Sequence, residues 1–373
     1  MNSTVMKNND SEKPFIVWQA HEGNLSGANI AMLEYIDALH YTYRSHVILP
    51  HEGSMRKALT ERNVPVSIIP QYGWAGNIGG SFVKRIKLIM RTRIAFKVIE
   101  KLLQQTNAAL VCTNTLVPFL AAKVAYKLGL PHVWWIHEYG EEDFGFSIGN
   151  GNALHAYQKM QLWSKLIICN SEAVTKKFRS LLPAVQVERI YQPVSWLVRA
   201  PQIAATKAEY LMFGQIVASK GHLEVLEAMA LSSKEGHRLQ LHIKGPCEDA
   251  VYLEHLYQFI AAHGLTEQVK IEEGFFIKEE EMPKYKVLIV ASRSEAFGRV
   301  IVEANKAGLH VIVKNRGGAP ELMNESNGLL YTTIEELCAI FSGKTMLPDT
   351  GIRFNYNESI EIKRLNHLLL SIS

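Results

Sequence analysis

The sequence has few cysteines, no long apolar run and no apolar segment near its start. The four cysteines, Cys112, Cys169, Cys247 and Cys338, stand far apart, which excludes a CxxC zinc or redox motif. No stretch approaches the roughly 18 consecutive apolar residues of a membrane-spanning helix. The segment Met1–Lys13 is polar, so we expect no secretory signal, and we expect a cytoplasmic protein with reduced, buried thiols at Cys112 and Cys169.

What is present is an ordinary globular composition with one unusual concentration of charge. Of the 373 residues, 47% are hydrophobic and 20% charged, a composition that excludes a disordered chain. At about 150 residues per domain, the length indicates two domains. The formal net charge is only +4, yet Gly80–Thr106 holds seven lysines and arginines against one glutamate. A nucleic-acid-binding protein usually spreads its cations over a face or groove, so we expect no nucleic-acid partner.

Short apolar runs rich in β-branched residues alternate with longer segments of helical period along most of the chain. The predicted strands of the first half are Phe15–Trp18, His46–Leu49, Val66–Ile69, Ala109–Cys112, His132–Ile136 and Leu166–Cys169, and those of the second are Tyr210–Phe213, Leu239–Ile243, Val269–Ile271, Val287–Val290 and His310–Val313. Continuous apolar strands separated by helices are typical of parallel sheets with right-handed crossovers. The sequence therefore predicts an α/β protein with two doubly wound, Rossmann-like domains.

The predicted domain boundaries follow the places where this alternation stops. Around Pro193–Lys207 the chain is irregular, which is typical of a linker. The predicted organisation is a disordered N-terminus (1–13), an N-terminal domain (14–195), a linker (196–208), a C-terminal domain (209–350) and a C-terminal helix (351–373) that docks on the N-terminal domain. Two such domains facing one another would bind ligands in a cleft at the carboxyl ends of their strands.

The segment Val287–Tyr331 carries the most chemical information. A predicted strand leads to Glu295, turns through Phe297–Gly298 and enters a helix that carries Glu303. The N–H groups at such a helix start bind anions such as a pyrophosphate, and two carboxylates can accept hydrogen bonds from sugar and ribose hydroxyls. Taken alone, two glutamates at this spacing are more often a helix cap and a solvated residue.

The order of signals in this segment resembles the donor-binding half of the retaining glycosyltransferases of family 4, bacterial-type group 1 enzymes with the GT-B fold. Their E-x7-E motif corresponds to Glu295 through Glu303, and the segments A-G, G-G-x-x-E and N-G-L-L follow in the family's order. The resemblance extends over about residues 14–350 and is strongest from 209 onward. It implies transfer of a sugar from a nucleotide diphosphate donor to an acceptor hydroxyl, with retention of anomeric configuration.

The resemblance also implies roles for individual residues. Lys220, at the Lys-Gly start of a helix, would neutralise the diphosphate, and Glu295 would orient the transferred sugar. His137, which ends the strand in HVWWIHEYG, would contact the sugar from the first domain. A histidine there is otherwise more often a packed polar residue, and a Lys-Gly pair is often a solvated turn.

Donor-binding residues are implied at further positions. They are Gly27, Gln215, Phe276, Phe297, Gly298, Arg299, Val300 and Glu303. Gln215 stands where many family members carry an arginine, so one phosphate cation is missing, and Arg299 could compensate for it. Phe276 or its neighbour Phe275 could stack on the nucleotide base, although a core aromatic is the commoner explanation.

The sequence contains no D-x-D, the pair with which metal-dependent glycosyltransferases of the other major fold hold a cation on the diphosphate. Because helix amides and Lys220 can serve that purpose, we expect no metal ion and no cofactor. A UDP-sugar is favoured over a GDP-sugar as donor.

The basic segment Gly80–Thr106 predicts a partner. As a helix it would place Phe82, Ile86, Ile89, Phe96 and Leu103 on one side and most cations on the other, which also fits an ordinary helix packed on a sheet. Cations mixed with aliphatic residues also suit an anionic membrane surface. The residues expected on this membrane or acceptor side are Lys84, Arg85, Lys87 and Arg91. The hypothesis is a peripheral enzyme that uses a glycan or lipid-linked glycan acceptor in bacterial surface polysaccharide or glycolipid assembly.

Two other functions remain open on the sequence. A GT-B sugar-nucleotide epimerase shares the architecture, although it should not need this E-x7-E pair. A non-catalytic nucleotide-sugar-binding subunit is compatible with Gln215 in place of the arginine.

Overall fold

The computed structural model describes residues 13–75, 82–145, 147–196, 208–349 and 351–373. The chain forms two compact units: residues up to Pro193 together with Glu358–Ser373, and Val194–Asn357. The predicted disordered N-terminus (1–13) and linker (196–208) lie almost entirely outside the described residues.

The first unit is built on a seven-stranded parallel sheet of order β3-β2-β1-β4-β5-β6-β7. Its strands are β1 (Phe15–Gln19), β2 (Arg44–Leu49), β3 (Val66–Ile68), β4 (Ala108–Asn114), β5 (His132–Ile136), β6 (Leu166–Cys169) and β7 (Gln186–Arg189). Its helices up to residue 193 are α1 (Gly27–Leu39), α2 (Ser54–Glu61), α3 (Phe82–Gln105), α4 (Leu120–Leu128), α5 (Glu141–Phe144), α6 (Ala153–Trp163) and α7 (Glu172–Leu181).

Both faces of this sheet are buried: successive side chains of each strand point to opposite sides, and each set packs into a core of its own. On one face Trp18 and Tyr35 pack on Trp135, with ring centroids 5.7 and 4.0 Å from it. On the other face Val17 and Val111 lie in a core with residues of α3 and α4. The strands of this sheet therefore read as continuous apolar runs. Cys112 and Cys169 are free thiols and fully buried, as predicted.

The second unit contains a six-stranded parallel sheet of order β10-β9-β8-β11-β12-β13. Its strands are β8 (Ala208–Phe213), β9 (Leu241–Gly245), β10 (Val269–Glu273), β11 (Tyr285–Val290), β12 (His310–Lys314) and β13 (Gly328–Tyr331). Its helices are α8 (His222–Lys234), α9 (Ala250–Ala262), α10 (Lys278–Glu281), α11 (Arg299–Lys306) and α12 (Ile334–Phe341). The prediction of two doubly wound parallel sheets is confirmed.

The last helix, α13 (Glu358–Ile372), belongs to the first unit although it follows the second in sequence. Leu365 and Leu369 are fully buried in the same core as Trp18. Glu361 accepts a hydrogen bond from Arg189 at 2.9 Å and another from the backbone N–H of Tyr191 at 3.1 Å. Apolar burial and a largely buried ion pair together hold α13 against the end of β7.

The basic helix α3 packs through one face and exposes the other. Ala95, Ile99 and Leu103 are buried, whereas Ile89, which the sequence places on one side with Phe96 and Leu103, is 52% exposed. The core shared with α4 takes its α3 residues from Ala95 to Leu103, so Ile89 lies outside that core. Within the described ranges, no helix is both long and apolar enough to span a bilayer.

Candidate functional site

The order of the second sheet locates its binding edge. Strand order reverses between β8 and β11, and ligands of doubly wound sheets bind beyond the carboxyl ends of the strands at such a switch point. Two loops leave the sheet there: residues 214–221 after β8 and residues 291–298 after β11. These loops carry Gln215, Lys220, Glu295, Phe297 and Gly298.

Lys220 and Glu295 are brought into contact across these loops. The Lys220 ammonium donates to Glu295 Oε2 at 3.1 Å, with side chains 39% and 20% exposed. Gly221, at φ 75°, caps α8 and lies so close to the backbone of Ala291 that a Cβ there would sit 2.1 Å from its carbonyl oxygen. The N–H of Arg293 also donates to the carbonyl of Ser219 at 2.8 Å. This close approach of the two loops sets the position of the ion pair.

The loop after β12 also holds the backbone of Glu295 in place. Gly318 N–H donates to the Glu295 carbonyl at 2.7 Å, and a Cβ on Gly317 would lie 2.5 Å from that same oxygen. Gly298, at φ 96°, then turns the chain into α11. The N-terminus of α11 therefore follows directly on the Lys220–Glu295 pair, an arrangement suited to binding a diphosphate.

Glu303 lies one turn inside α11 and is buried, with its side chain 5% exposed. Both of its carboxylate oxygens accept hydrogen bonds from Lys278 at 2.7 Å. Arg299, on the same helix, has its guanidinium 3.8 Å from Glu303 Oε1. Each glutamate of the E-x7-E pair thus has its own lysine, Lys220 for Glu295 and Lys278 for Glu303. No motif in the sequence pointed to Lys278.

The remaining predicted donor residues differ in exposure. Gln215 is exposed, Val300 is half-buried and Phe297 is buried with its ring edge-on to Tyr356. Phe276 packs edge-on against Phe213 and has the Lys244 ammonium 4.7 Å from its ring centroid.

The neighbour of Phe276, Phe275, is 93% exposed. Phe276 thus occupies a packed position, and Phe275 is the ring in this loop that is open to solvent.

In the first unit, His137 and the start of α1, where Gly27 lies, belong to one hydrogen-bond network. His137 Nε2 is 2.8 Å from Asn114 Oδ1, and the Asn114 amide donates to the Ala28 carbonyl and to Asn29 Oδ1. Glu138, 5% exposed, accepts the N–H of Leu116 at 2.5 Å. Asn114 is therefore a connecting residue that the motifs did not reveal.

Gly27 begins α1 with open space where a Cβ would lie. At Gly23, by contrast, a Cβ would meet the His51 carbonyl oxygen at 2.3 Å. Gly23 therefore serves packing, whereas the packing around Gly27 does not require a glycine. Among the described residues, no group of three or more histidines, cysteines and acids is arranged to hold a metal ion.

Comparisons with known proteins relate the chain to glycosyltransferases. Residues 197–335 match the family model described as "Glycosyl transferases group 1". An uncharacterized glycosyltransferase of Methanocaldococcus jannaschii is 26% identical over 243 residues, 58% of this chain and 60% of that protein. The match therefore spans less than two thirds of that relative's length.

Solved structures show the fold of the whole chain. HepE of Anabaena, crystallised with UDP and glucose, superposes with a TM-score of 0.72 at 20% identity, covering 96% of this chain and 98% of that one. The apo lipopolysaccharide outer core galactosyltransferase WaaB has a TM-score of 0.64 at 15% identity, with coverage of 96% and 99%. The chain therefore has the GT-B fold, and its residues 197–335 match a group 1 glycosyltransferase domain.

Proposed function

We propose that this protein is a retaining, metal-independent glycosyltransferase that moves a sugar from a UDP-sugar to an acceptor hydroxyl. The observation that carries the proposal is the Lys220–Glu295 pair at the start of α11, within the matched domain. The UDP bound to HepE, a protein of the same fold, supports UDP as the nucleotide.

In the proposed reaction the protein acts mainly through electrostatics. The acceptor oxygen bonds to the anomeric carbon while the bond from that carbon to the diphosphate breaks on the same face, and the leaving phosphate oxygen takes the acceptor proton. Lys220, the N-terminal amides of α11 and Arg299 stabilise the negative charge that develops on the diphosphate. These charges supply what a metal ion would otherwise supply.

The two glutamates have separate tasks in this scheme. Glu295 orients the transferred sugar and stabilises its oxocarbenium character, while Lys220 links that carboxylate to the diphosphate charge. Glu303, which is buried in α11, accepts hydrogen bonds from the ribose hydroxyls. For the first unit, contact of His137 with the sugar stays a prediction from the resemblance.

The acceptor side of the proposal concerns α3. Its exposed face combines cations with apolar side chains: Lys87, Arg91 and Lys101 are exposed together with Met90, Ile94 and Val98, which are 58%, 63% and 46% exposed. These positions recur every three or four residues and so share one side of the helix.

The side chains of Lys84 and Arg85 lie outside the described set. A helix face of this kind fits an anionic bilayer surface, where aliphatic groups enter the interface and cations meet lipid headgroups. We therefore propose a peripheral enzyme of surface polysaccharide or glycolipid assembly, with a glycan or lipid-linked glycan as acceptor. WaaB, a lipopolysaccharide galactosyltransferase of the same fold, supports an acceptor of this type.

A donor panel tests the proposal. The purified protein is incubated with UDP- and GDP-linked sugars and with short glycan or glycolipid acceptors, and nucleotide and products are identified by mass spectrometry. We expect UDP release coupled to acceptor glycosylation, and NMR of the product should show the donor's anomeric configuration. Epimerised nucleotide would instead indicate an epimerase, and binding without turnover would indicate a non-catalytic subunit.

A further inference from the structure

Glu303 is held by a lysine from a different element of the second unit. Lys278 opens the short helix α10, and its ammonium donates to both Glu303 oxygens at 2.7 Å. The Glu303 side chain is 5% exposed and that of Lys278 is 35% exposed. The Arg299 guanidinium is more distant, 3.8 Å from Glu303. Among the contacts of the described residues, Lys278 is thus the closest cation to this buried carboxylate.

The other end of α10 is fixed to the sheet. Lys244, at the end of β9 and 8% exposed, pairs with Glu281 of α10 at 2.7 Å and with Glu272 of β10 at 2.8 Å. The Lys244 ammonium also faces the ring of Phe276 just before α10. Hydrogen bonds from Lys244 and Lys270 lower the pKa of Glu272 to about 2, so this acid stays ionised at neutral pH. Lys278 therefore extends from an anchored helix rather than from a free loop.

A bidentate ammonium has a definite effect on a buried carboxylate. It compensates a charge that would be costly to bury alone, and it fixes the plane of the carboxylate group. A carboxylate has about four lone-pair sites, so the two hydrogen bonds from Lys278 leave others for incoming hydroxyls.

We propose that Lys278 is a positioning residue for donor binding: it orients Glu303 so that the remaining lone pairs of Glu303 accept hydrogen bonds from the ribose hydroxyls. This inference rests on the proposed function, in which Glu303 holds the ribose of a UDP-sugar. Lys278 itself acts through Glu303 and is not assigned a contact with the donor.

The test compares UDP with 2′,3′-dideoxy-UDP, which lacks the hydroxyls that Glu303 would receive. Calorimetric binding is measured for the wild-type protein, Lys278→Met, Lys278→Arg, Glu303→Gln and the control Lys344→Met. The control removes the exposed Lys344–Glu235 pair, which shares no residue with α10, α11 or the Lys244 ion pairs.

We expect Lys278→Met to lower the affinity for UDP about 10-fold, as for the loss of one charge-assisted contact. Its affinity for dideoxy-UDP should stay within about twofold of the wild-type value. Lys278→Arg should restore most of the UDP affinity, and Lys344→Met should bind both nucleotides as the wild type does. In turnover, Lys278→Met should raise the donor KM with little change in kcat.

The outcomes separate this inference from the function beneath it. If Glu303→Gln binds UDP as tightly as the wild type, the ribose assignment itself is overturned. If Glu303→Gln weakens UDP but Lys278→Met does not, only the role of Lys278 is overturned. If Lys278→Met loses equal affinity for UDP and for dideoxy-UDP, the role of Lys278 is likewise overturned. Because the affinity ratio is taken within one preparation, partial misfolding does not imitate the expected result.

Discussion

The Lys220 ammonium lies 3.1 Å from Glu295 Oε2, although 75 positions separate the two residues in the chain. The contact exists because β8 and β11 are neighbours in the sheet and their following loops are joined by the Arg293–Ser219 backbone hydrogen bond. A cation and an acid are thus held together beyond the carboxyl ends of two neighbouring strands, where the proposed function places the diphosphate and the sugar.

Removal of either partner of this pair should slow sugar transfer strongly. We expect Lys220→Met and Glu295→Gln each to lower kcat by at least about 100-fold, since each removes a preorganised charge at the transition state. Initial rates with a UDP-sugar found active in the donor panel measure the effect. Lys234→Met, an exposed lysine at the end of α8, is the matched control and should keep wild-type activity. Near wild-type transfer by folded Glu295→Gln would show that the site is assigned wrongly.

Chelation should leave the reaction largely intact. In the proposed mechanism Lys220, Arg299 and the α11 amides carry the diphosphate charge, so EDTA should change the rate by less than about twofold. The same assay, after EDTA treatment and after addition of Mg²⁺ or Mn²⁺, measures this. A strict requirement for a divalent cation would contradict the metal-independent mechanism.

The exposed face of α3 should bind anionic vesicles. With each cation contributing about 1 kcal/mol near the surface, the triple variant Lys87→Gln, Arg91→Gln, Lys101→Gln should bind about 100-fold more weakly. Co-sedimentation with phosphatidylglycerol vesicles measures it, and added salt should weaken binding.

The charge-matched control for that experiment replaces Lys234, Arg238 and Lys270, all exposed on the second unit, by glutamine. It should bind as the wild type does. Equal losses in both triple variants would indicate a general charge effect, and equal binding to neutral vesicles would argue against an anionic membrane partner.

His132 should make the first unit sensitive to acid. It is fully buried between Thr113 Oγ1 at 2.8 Å and Ser164 Oγ at 3.0 Å, and burial lowers its pKa to about 3. The unfolded chain, with a histidine pKa near 6.5, therefore takes up the proton first, so stability is full above pH 6.5 and is lost as pH falls toward 3. The expected slope from this residue is about 1.4 kcal/mol per pH unit.

Urea unfolding followed by tryptophan fluorescence between pH 7 and about 4.5 measures this slope. Five of the six tryptophans, all except Trp196, lie in the first unit, so the signal reports mainly on it. His132→Gln should lower the free energy of unfolding at pH 7. It should also reduce the slope of that free energy against pH by up to about 1.4 kcal/mol per pH unit, the value for one proton. An unchanged slope would mean that His132 does not cause the pH dependence.

The fold could be predicted where burial dominates the sequence pattern. Strands such as Phe15–Gln19 and His132–Ile136 are buried on both faces and stand out as apolar runs. The edge strands Gln186–Arg189 and Gly328–Tyr331 were not predicted, because their own residues carry little of the apolar pattern. The first is mostly polar with one buried valine, and the second begins with a glycine and exposes Leu330. Their existence depends on a neighbouring strand rather than on their own composition.

The candidate site was predictable in part for a similar reason. The turn that carries Glu295 and Gly298 is local in sequence, so its spacing could be read directly. The pairing of Glu303 with Lys278 depends on where α10 lies beside α11, which no local pattern encodes. Which turns of α3 are buried likewise depends on its packing partners, and helical spacing alone does not reveal that Ile89 is exposed.

The position of α13 has a consequence for the order of events during synthesis. Residues 15–189 supply every strand of the first sheet, yet Leu365 and Leu369, which fill part of its core, are translated only after the entire second unit. Until then the site of α13 beside Trp18 and Ile190 stays open on the nascent chain. The first unit is the first to be made and the last to be completed.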